Sequence, residues 1–296
     1  MHRLIYYILP TILMLVGLRK YRASKWGIGF EVAKNLASRN AQVVLACRSI
    51  DKANAALIKI KQHLSNNPHL IPMTIDLGSL RSVSEFAEII KSRFDKIDIL
   101  INNAGVAYQK YERLKTYDGI EIHFGINHLG HFYLTCLLQE LVIAAKGRII
   151  VVTSSLHEKG KLNFNAIRNF DFPPGENLYA DSKLANAYFA YELAKRLRNK
   201  RVVVYAVCPG WVYTGLFSHT FKWYHIIFAP IALLFMRTAM QGSQTVIYCA
   251  TEPSLSDQTA LLYRDCKPYG TRTIFFDKVG QDLWTVSQDM INHVVN

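Results

Sequence analysis

Apolar and polar residues recur along this chain with two different periods, and the switching between them predicts its architecture. Short runs rich in β-branched residues read as buried strands: Gln42-Val-Val-Leu-Ala46, Ile71-Pro-Met-Thr-Ile75, Ile97-Asp-Ile-Leu-Ile101 and Arg201-Val-Val-Val-Tyr-Ala-Val-Cys208. A fifth, Arg148-Ile-Ile-Val-Val-Thr-Ser-Ser155, ends in two hydroxyls. Between them the apolar positions follow the 3.6-residue period of a half-buried helix. One such stretch follows Trp26, with apolar residues at 30, 32, 33, 36 and 37; others cover about 51–64, 79–94 and 125–145, and one opens at Tyr179. A helix near 240–250, a strand near 259–263 and a closing helix near 279–295 complete the pattern. Strand and helix in alternation, with strands that are apolar throughout, imply α/β architecture: a doubly wound parallel sheet covered on both faces, in one domain over residues 26–296.

Ligands on such sheets bind beyond the carboxyl ends of the strands. The residues there are Arg48, Asp76, Asn102-Asn-Ala-Gly105, Ser154-Ser155 and Pro209-Gly210. Glycines at 27 and 29, where the first helix begins, would let a phosphate approach its backbone N–H groups. Arg48 stands where an acidic residue would favour NAD, and an Arg there can pair with the 2′-phosphate of NADP. Tyr179 and Lys183, four apart at the start of a helix, share one face, so a phenol and an ammonium converge. That neighbour is expected to lower the phenol pKa. The same spacing recurs at Tyr21/Lys25, Tyr111/Lys115, Tyr191/Lys195 and Tyr263/Lys267. Only the pair at 179 and 183 follows a strand ending in Ser-Ser and opens a long helix, so context selects it. Asn127 reads as a cap or an inward-reaching polar group. His123, His128 and His131 lack an acidic partner at metal-ligand spacing and read as structural or surface histidines, so no metal site is expected.

The 296 residues carry 35 Lys and Arg against 22 Asp and Glu, a net charge of +13. That suits an anionic partner such as a membrane surface or a phosphate-rich cofactor. The basic residues are dispersed and no nucleic-acid motif occurs, so a nucleic-acid partner is not expected. Five scattered cysteines read as thiols in a reducing compartment. Residues 4–18 are apolar and are followed by Arg19, Lys20, Arg22 and Lys25. Residues 1–25 thus read as an uncleaved membrane anchor with a basic flank that leaves the domain in the cytosol, with a buried strand or core helix as the alternative. Residues 226–236 are apolar around Pro230 and too short to span a bilayer. They could cover a greasy substrate site, dip into a membrane, or form an ordinary packed helix pair.

Taken together, Asn102-Asn-Ala-Gly105, Asn127, Ser155, Tyr179-x-x-x-Lys183 and Pro209-Gly210 resemble the short-chain dehydrogenase/reductase family, in that family's order, over roughly residues 27–290. Ala46-Cys-Arg-Ser49, Asn127-His-Leu-Gly-His-Phe132, Ser182-Lys-Leu-Ala-Asn186 and Asp265-Cys-Lys267 look like its retinol dehydrogenase branch, and are similar to a related branch implicated in polyprenol metabolism. The resemblance implies a Rossmann-type fold and an NADP(H)-dependent oxidoreductase that interconverts a lipophilic alcohol and its aldehyde or ketone. Such proteins are typically membrane-associated, which implies the endoplasmic reticulum; a homodimer stays open. Tyr179 would be the general acid or base, Lys183 would lower its pKa and hold the nicotinamide ribose, and Ser155 would bond the substrate oxygen. Asn127 would carry a relay water. Gly27, Ile28 and Gly29 would meet the pyrophosphate, Arg48 and Asp76 the adenosine end, and Asn103, Ala104 and Gly105 the adenosine side. Pro209, Gly210, Val212 and Thr214 complete the cofactor set, Thr214 on the nicotinamide side.

The chain departs from the family pattern at its start. Where Thr-Gly-x-x-x-Gly-x-Gly is expected, the Thr and first Gly positions hold Arg22 and Ala23, after a charged Leu18-Arg-Lys-Tyr21. The first strand and part of the glycine motif therefore read as missing or replaced. Residues 11–18 could be recruited as that strand, the sheet could be damaged, or a segment could be absent between Lys25 and Trp26. A damaged cofactor cradle would leave a catalytically silent, membrane-associated relative, the alternative to an active enzyme.

Overall fold

The computed structural model describes residues 26–109, 112–172, 177–212, 216 and 236–295. The expected α/β alternation is present. In chain order the elements are α1 (Ile28–Ser38), β1 (Val43–Cys47), α2 (Ile50–His63), β2 (Leu70–Thr74), α3 (Leu80–Arg93) and β3 (Ile99–Asn102). A π-helical turn, Phe124–Leu129, leads into α4 (Gly130–Ala145), then β4 (Arg148–Val152), α5 (Phe164–Arg168) and α6 (Leu178–Arg196). β5 (Val203–Val207), α7 (Ala239–Thr251), β6 (Leu261–Arg264), β7 (Lys267–Pro268) and α8 (Asp277–Val295) complete the described chain. Helix α5 and strand β7 escape a periodicity reading because five and two residues are too short to display a period.

Strands β3, β4, β5 and β6 pair in parallel in that order, and β7 closes the edge antiparallel to β6. Successive side chains of β4 and β5 point to opposite layers. Ile149, Val151, Val204 and Ala206 pack with α6 and α8, whereas Ile150, Val152, Val203, Tyr205 and Val207 pack with α1 and α7. That two-sided burial is why these strands are apolar without interruption.

Strands β1 and β2 form a separate parallel pair, and among the described residues no ladder joins β1 to β3. Helices hold the two pieces together. On one face α1 presents Val32 and Leu36 to a cluster shared by Val43 of β1 and Ile99 and Ile101 of β3. On the other, residues of α3 and α4 cover Val44, Ile71 and Leu100. The edges facing this gap are less buried than β4 and β5: Val43, Val44 and residues 99–101 are half-exposed. The anchor at residues 1–25, the recruitment of residues 11–18 and nearly all of the apolar stretch 226–236 lie outside the described residues; Met236, its last residue, is buried. No described helix is long and apolar enough to cross a membrane.

The C-terminal helix α8 is pinned to the core by more than grease. Trp284 stands edge-on to Phe132 at 4.8 Å, and the Arg196 guanidinium lies 4.1 Å from the Trp284 ring. His128 is buried among Phe124, Phe132 and Phe189, and its Nε2 is 3.0 Å from the Ser287 hydroxyl. Burial holds the His128 imidazole down to about 3, so it is neutral. Ser287→Ala should cost roughly 1–3 kcal/mol, because it strands a buried ring nitrogen. Adding His128→Leu, which removes the stranded nitrogen, should recover most of that loss. Urea unfolding of the two variants checks this; equal stability of Ser287→Ala and wild type would remove the bond from the account.

Candidate active site

The C-terminal ends of β3, β4 and β5 and the N-terminus of α1 converge on one cavity of about 600 Å³. Helix α1 starts at Gly27 with no side-chain cap, so its positive end faces the cavity bare. Gly29 is required for close approach: a Cβ there would sit 2.8 Å from Asn103 Nδ2. At the opposite wall the loop after β3 brings Gly105 to Lys183, where a Cβ would lie 3.4 Å from Nζ and 3.1 Å from Asn127 Oδ1. A small residue at each point leaves backbone as the lining, which fits the phosphates and sugars of a dinucleotide.

The β4 strand ends in the buried Thr153, whose hydroxyl donates to the Lys183 carbonyl at 2.6 Å, fixing the strand to α6. Ser154 caps a short 3₁₀ turn, Ser155–Lys159, accepting from the Leu156 N–H at 3.2 Å, and both serines line the cavity. Helix α6 begins at its Asn177 cap and carries Tyr179 and Lys183 to the same wall. Tyr179 is hydrogen-bonded to Ser154. Ser155 lines the cavity, and its hydroxyl has no hydrogen-bond partner among the described residues. The residue pattern by itself left the two serines undivided; in the structure it is Ser154 that bonds the phenol.

Lys183 is 3% exposed; its ammonium donates to the Val152 carbonyl at 3.2 Å and stands 5.8 Å from the Tyr179 ring centroid. Burial pulls its pKa down to about 8. The Tyr179 phenol is pushed up to about 12 by burial, against the hydrogen bond from Ser154. Lys183 was expected to lower the phenol; burial, which raises it, is the largest influence on it in this structure. Asn127 lies behind the wall, wholly buried in the π-helical turn. Its Oδ1 accepts from the Val106 N–H at 2.7 Å, and its Nδ2 donates to the Val106 carbonyl and to Ser182 Oγ, each at 3.0 Å. A π turn inserts a residue into helical register, and here it aims Asn127 across at the β3 loop. His131 Nδ1 is 3.0 Å from the Asn127 carbonyl, and burial holds His131 down to about 4. The three histidines are thus buried and hydrogen-bonded, which settles the structural-or-surface alternative.

Of the expected cofactor residues, Gly27, Ile28, Gly29, Asn103, Gly105, Pro209, Gly210 and Val212 line the cavity. Ala104 is exposed and outside the lining. Arg48 is exposed just past β1, also outside it, and Asp76 turns its carboxylate onto the Gly78 N–H at 2.9 Å. Thr214 lies outside the described residues. Leu156, Trp211 and Leu216 line the cavity unforeseen, although adjacency to Ser155 and Gly210 could have nominated the first two.

A family model for short chain dehydrogenases matches residues 22–225. The chain belongs to the short-chain dehydrogenase family. Within it the chain is retinol dehydrogenase-like. It is 37% identical over 272 residues to retinol dehydrogenase 11 of Mus musculus and 38% identical over 271 residues to retinol dehydrogenase 12 of Homo sapiens, each match covering 90% of this chain and 83% of the relative. Dehydrogenase/reductase SDR family member 13 of Bos taurus is 36% identical over 89% of this chain and 70% of its own. Among solved structures, an uncharacterised protein from Mycobacterium paratuberculosis superposes with a TM-score of 0.70 at 27% identity, covering 90% of both chains. Salutaridine reductase from Papaver somniferum gives 0.59 at 25% identity, over 80% of this chain and 96% of that one. This short-chain dehydrogenase is therefore an oxidoreductase of a family that works with a nicotinamide dinucleotide, and the residues around its cavity fit that group.

Keeping a cation buried has a thermodynamic signature. Because the folded pKa of Lys183 lies below its unfolded value, folding disfavours the charged form, a cost fully present below pH 8. The cost fades as pH rises through 8 towards 10.5. Lys183→Met should therefore stabilise the fold by roughly 1–3 kcal/mol at pH 7, less at pH 10, while removing the cavity's buried ammonium. Denaturant unfolding at both pH values measures it.

Proposed function

We propose that this chain is an NADP(H)-dependent oxidoreductase that interconverts a lipophilic, retinoid- or polyprenoid-like alcohol and its aldehyde or ketone. The observation that carries the reading is the meeting of Ser155, Tyr179 and Lys183 at one wall of a cavity that the bare N-terminus of α1 also faces. A bound nicotinamide supplies the hydride. The chain's own residues bind the substrate and manage the proton. With its phenol pushed up to about 12, Tyr179 is protonated at neutral pH, the state in which it can give a proton to a carbonyl oxygen. Ser155 donates a hydrogen bond to that same oxygen, where charge develops during reduction. Ser154, bonded to Tyr179, orients the phenol. Lys183 holds a positive charge beside Tyr179 and, with Asn127 behind it, would take part in returning a proton to the phenol.

The lipophilic substrate class is supported by the names of the retinol dehydrogenase relatives and by Leu156, Trp211 and Leu216 in the lining. NADP rather than NAD is supported by Arg48, exposed at the end of β1 where Cys47-Arg48-Ser49 offers no carboxylate. Membrane association through residues 1–25, with the domain facing the cytosol at the endoplasmic reticulum, follows from the apolar and basic pattern there. A second reading, a catalytically silent relative that no longer holds the dinucleotide, is favoured by Arg22 and Ala23, which stand where the family's Thr and first Gly of the glycine motif are expected. Fluorescence titration with NADPH separates the readings: micromolar binding excludes the silent one.

For the active enzyme, Tyr179→Phe should abolish NADPH-dependent reduction of retinal or a polyprenal with the fold intact, and normal turnover would sink the assignment. Ser155→Ala should lower kcat by about 10²–10³-fold, as loss of an oxyanion donor does, and Ser154→Ala by less. Arg48→Asp should reverse the preference between NADPH and NADH in kcat/KM.

A further inference from the structure

Two alternate amides of the loop after β3 are held by side chains from a single stretch of chain. Asn127 takes the Val106 N–H, and one turn earlier His123 takes the Tyr108 N–H on its Nε2 at 2.9 Å. The other ring nitrogen of His123, Nδ1, is 2.6 Å from Glu121 Oε1, while Glu121 Oε2 accepts from the Phe124 N–H at 2.8 Å. His123 and Glu121 are 3% and 8% exposed. The proton placement follows from the partners alone. A backbone amide can only donate, so Nε2 must offer its lone pair, and the ring proton lies on Nδ1, facing the carboxylate. Glu121 thereby selects the one tautomer that can hold Tyr108.

The consequences reach the reacting groups. The loop that ends at Tyr108 carries Asn103 and Gly105, both in the cavity wall, and Gly105 abuts the Lys183 ammonium. The His123 ring also stands edge-on to the Tyr179 ring, with centroids 6.3 Å apart and planes at 83°. A loop held only at Val106 could pivot there; held at Val106 and Tyr108, it has one orientation.

We infer that His123, oriented by Glu121, is a positioning residue for the reaction, fixing the loop that seats Asn103 beside Gly29 and Gly105 against Lys183, and bordering the ring of Tyr179. This rests on the active-site reading above, and its test includes a measurement independent of turnover. His123→Leu keeps bulk but offers Tyr108 no acceptor, whereas His123→Gln restores an acceptor oxygen without the ring. Glu121→Gln keeps the imidazole and turns an NH₂ towards one of two donors.

In the full chain, His123→Leu should lower kcat about ten-fold or more, as small misplacements near the chemistry do, with a several-fold higher dinucleotide KM. His123→Gln should stay within about three-fold of wild type, and Glu121→Gln should fall between them. Amide hydrogen exchange in the peptide containing Tyr108 should speed up in the Leu variant and not in the Gln variant. Unchanged kcat and exchange in His123→Leu would overturn the inference, as would equal impairment of the Leu and Gln variants, which would make the ring's packing the relevant property. If the wild-type chain turns nothing over, the functional reading fails on its own, while exchange at Tyr108 still decides whether the latch exists. Should His123→Leu not fold, the comparison of Glu121→Gln with His123→Gln carries the same decision.

Discussion

An ammonium group buried to 3% exposure is costly, and much of the surrounding architecture can be understood as the means of keeping Lys183 there. Its charge meets the Val152 carbonyl at the end of β4, and the Lys183 carbonyl receives the Thr153 hydroxyl, so strand and helix hold each other at this point. Gly105 on the facing loop leaves it room, and Asn127 stands behind. The same desolvation depresses the Lys183 pKa and raises that of Tyr179, so both are protonated at neutral pH.

Most of the groups at the cavity stand on one continuous sheet. Strands β3 to β7 form a continuous sheet sealed by helices on both faces, and it is this half that carries Ser154, Ser155, Tyr179 and Lys183. Among the described residues the β1–β2 pair meets it through α1, α3 and α4, with no ladder between them. Gly27, Ile28 and Gly29 at the start of α1 face the same cavity as Asn103, Gly105, Pro209 and Gly210, which follow β3 and β5. Helix α1 also joins the cavity to the β1–β2 pair, since its body packs with Val43 of β1 and with Ile99 and Ile101 of β3.

Much of the fold was readable because its signals are local. Uninterrupted apolar runs marked β4 and β5, whose side chains are buried on both faces, and the amphipathic period marked α1 and α3. The π-helical turn at 124–129 was not readable, since one inserted residue barely disturbs a periodic pattern. Residues lining the cavity beside known motifs, such as Leu156 and Trp211, carry no pattern of their own. The Glu121–His123 pair was passed over because a search for metal ligands asks for several converging donors. This pair instead serves a backbone amide 15 residues away.

By itself the sequence singled out Tyr179 and Lys183 among five pairs of the same spacing, because that pair alone follows an apolar run ending in Ser-Ser and opens a long helix. It determined the strand order of chemistry too: Asn102-Asn-Ala-Gly105, then Ser154-Ser155, then Pro209-Gly210, each at the end of an apolar run. Only the tertiary structure decided that Ser154 rather than Ser155 bonds Tyr179, that Asn127 and His123 grip alternate amides of one loop, and that burial raises the phenol's pKa. Those outcomes depend on distances between segments far apart in the chain and on how completely water is excluded from between them.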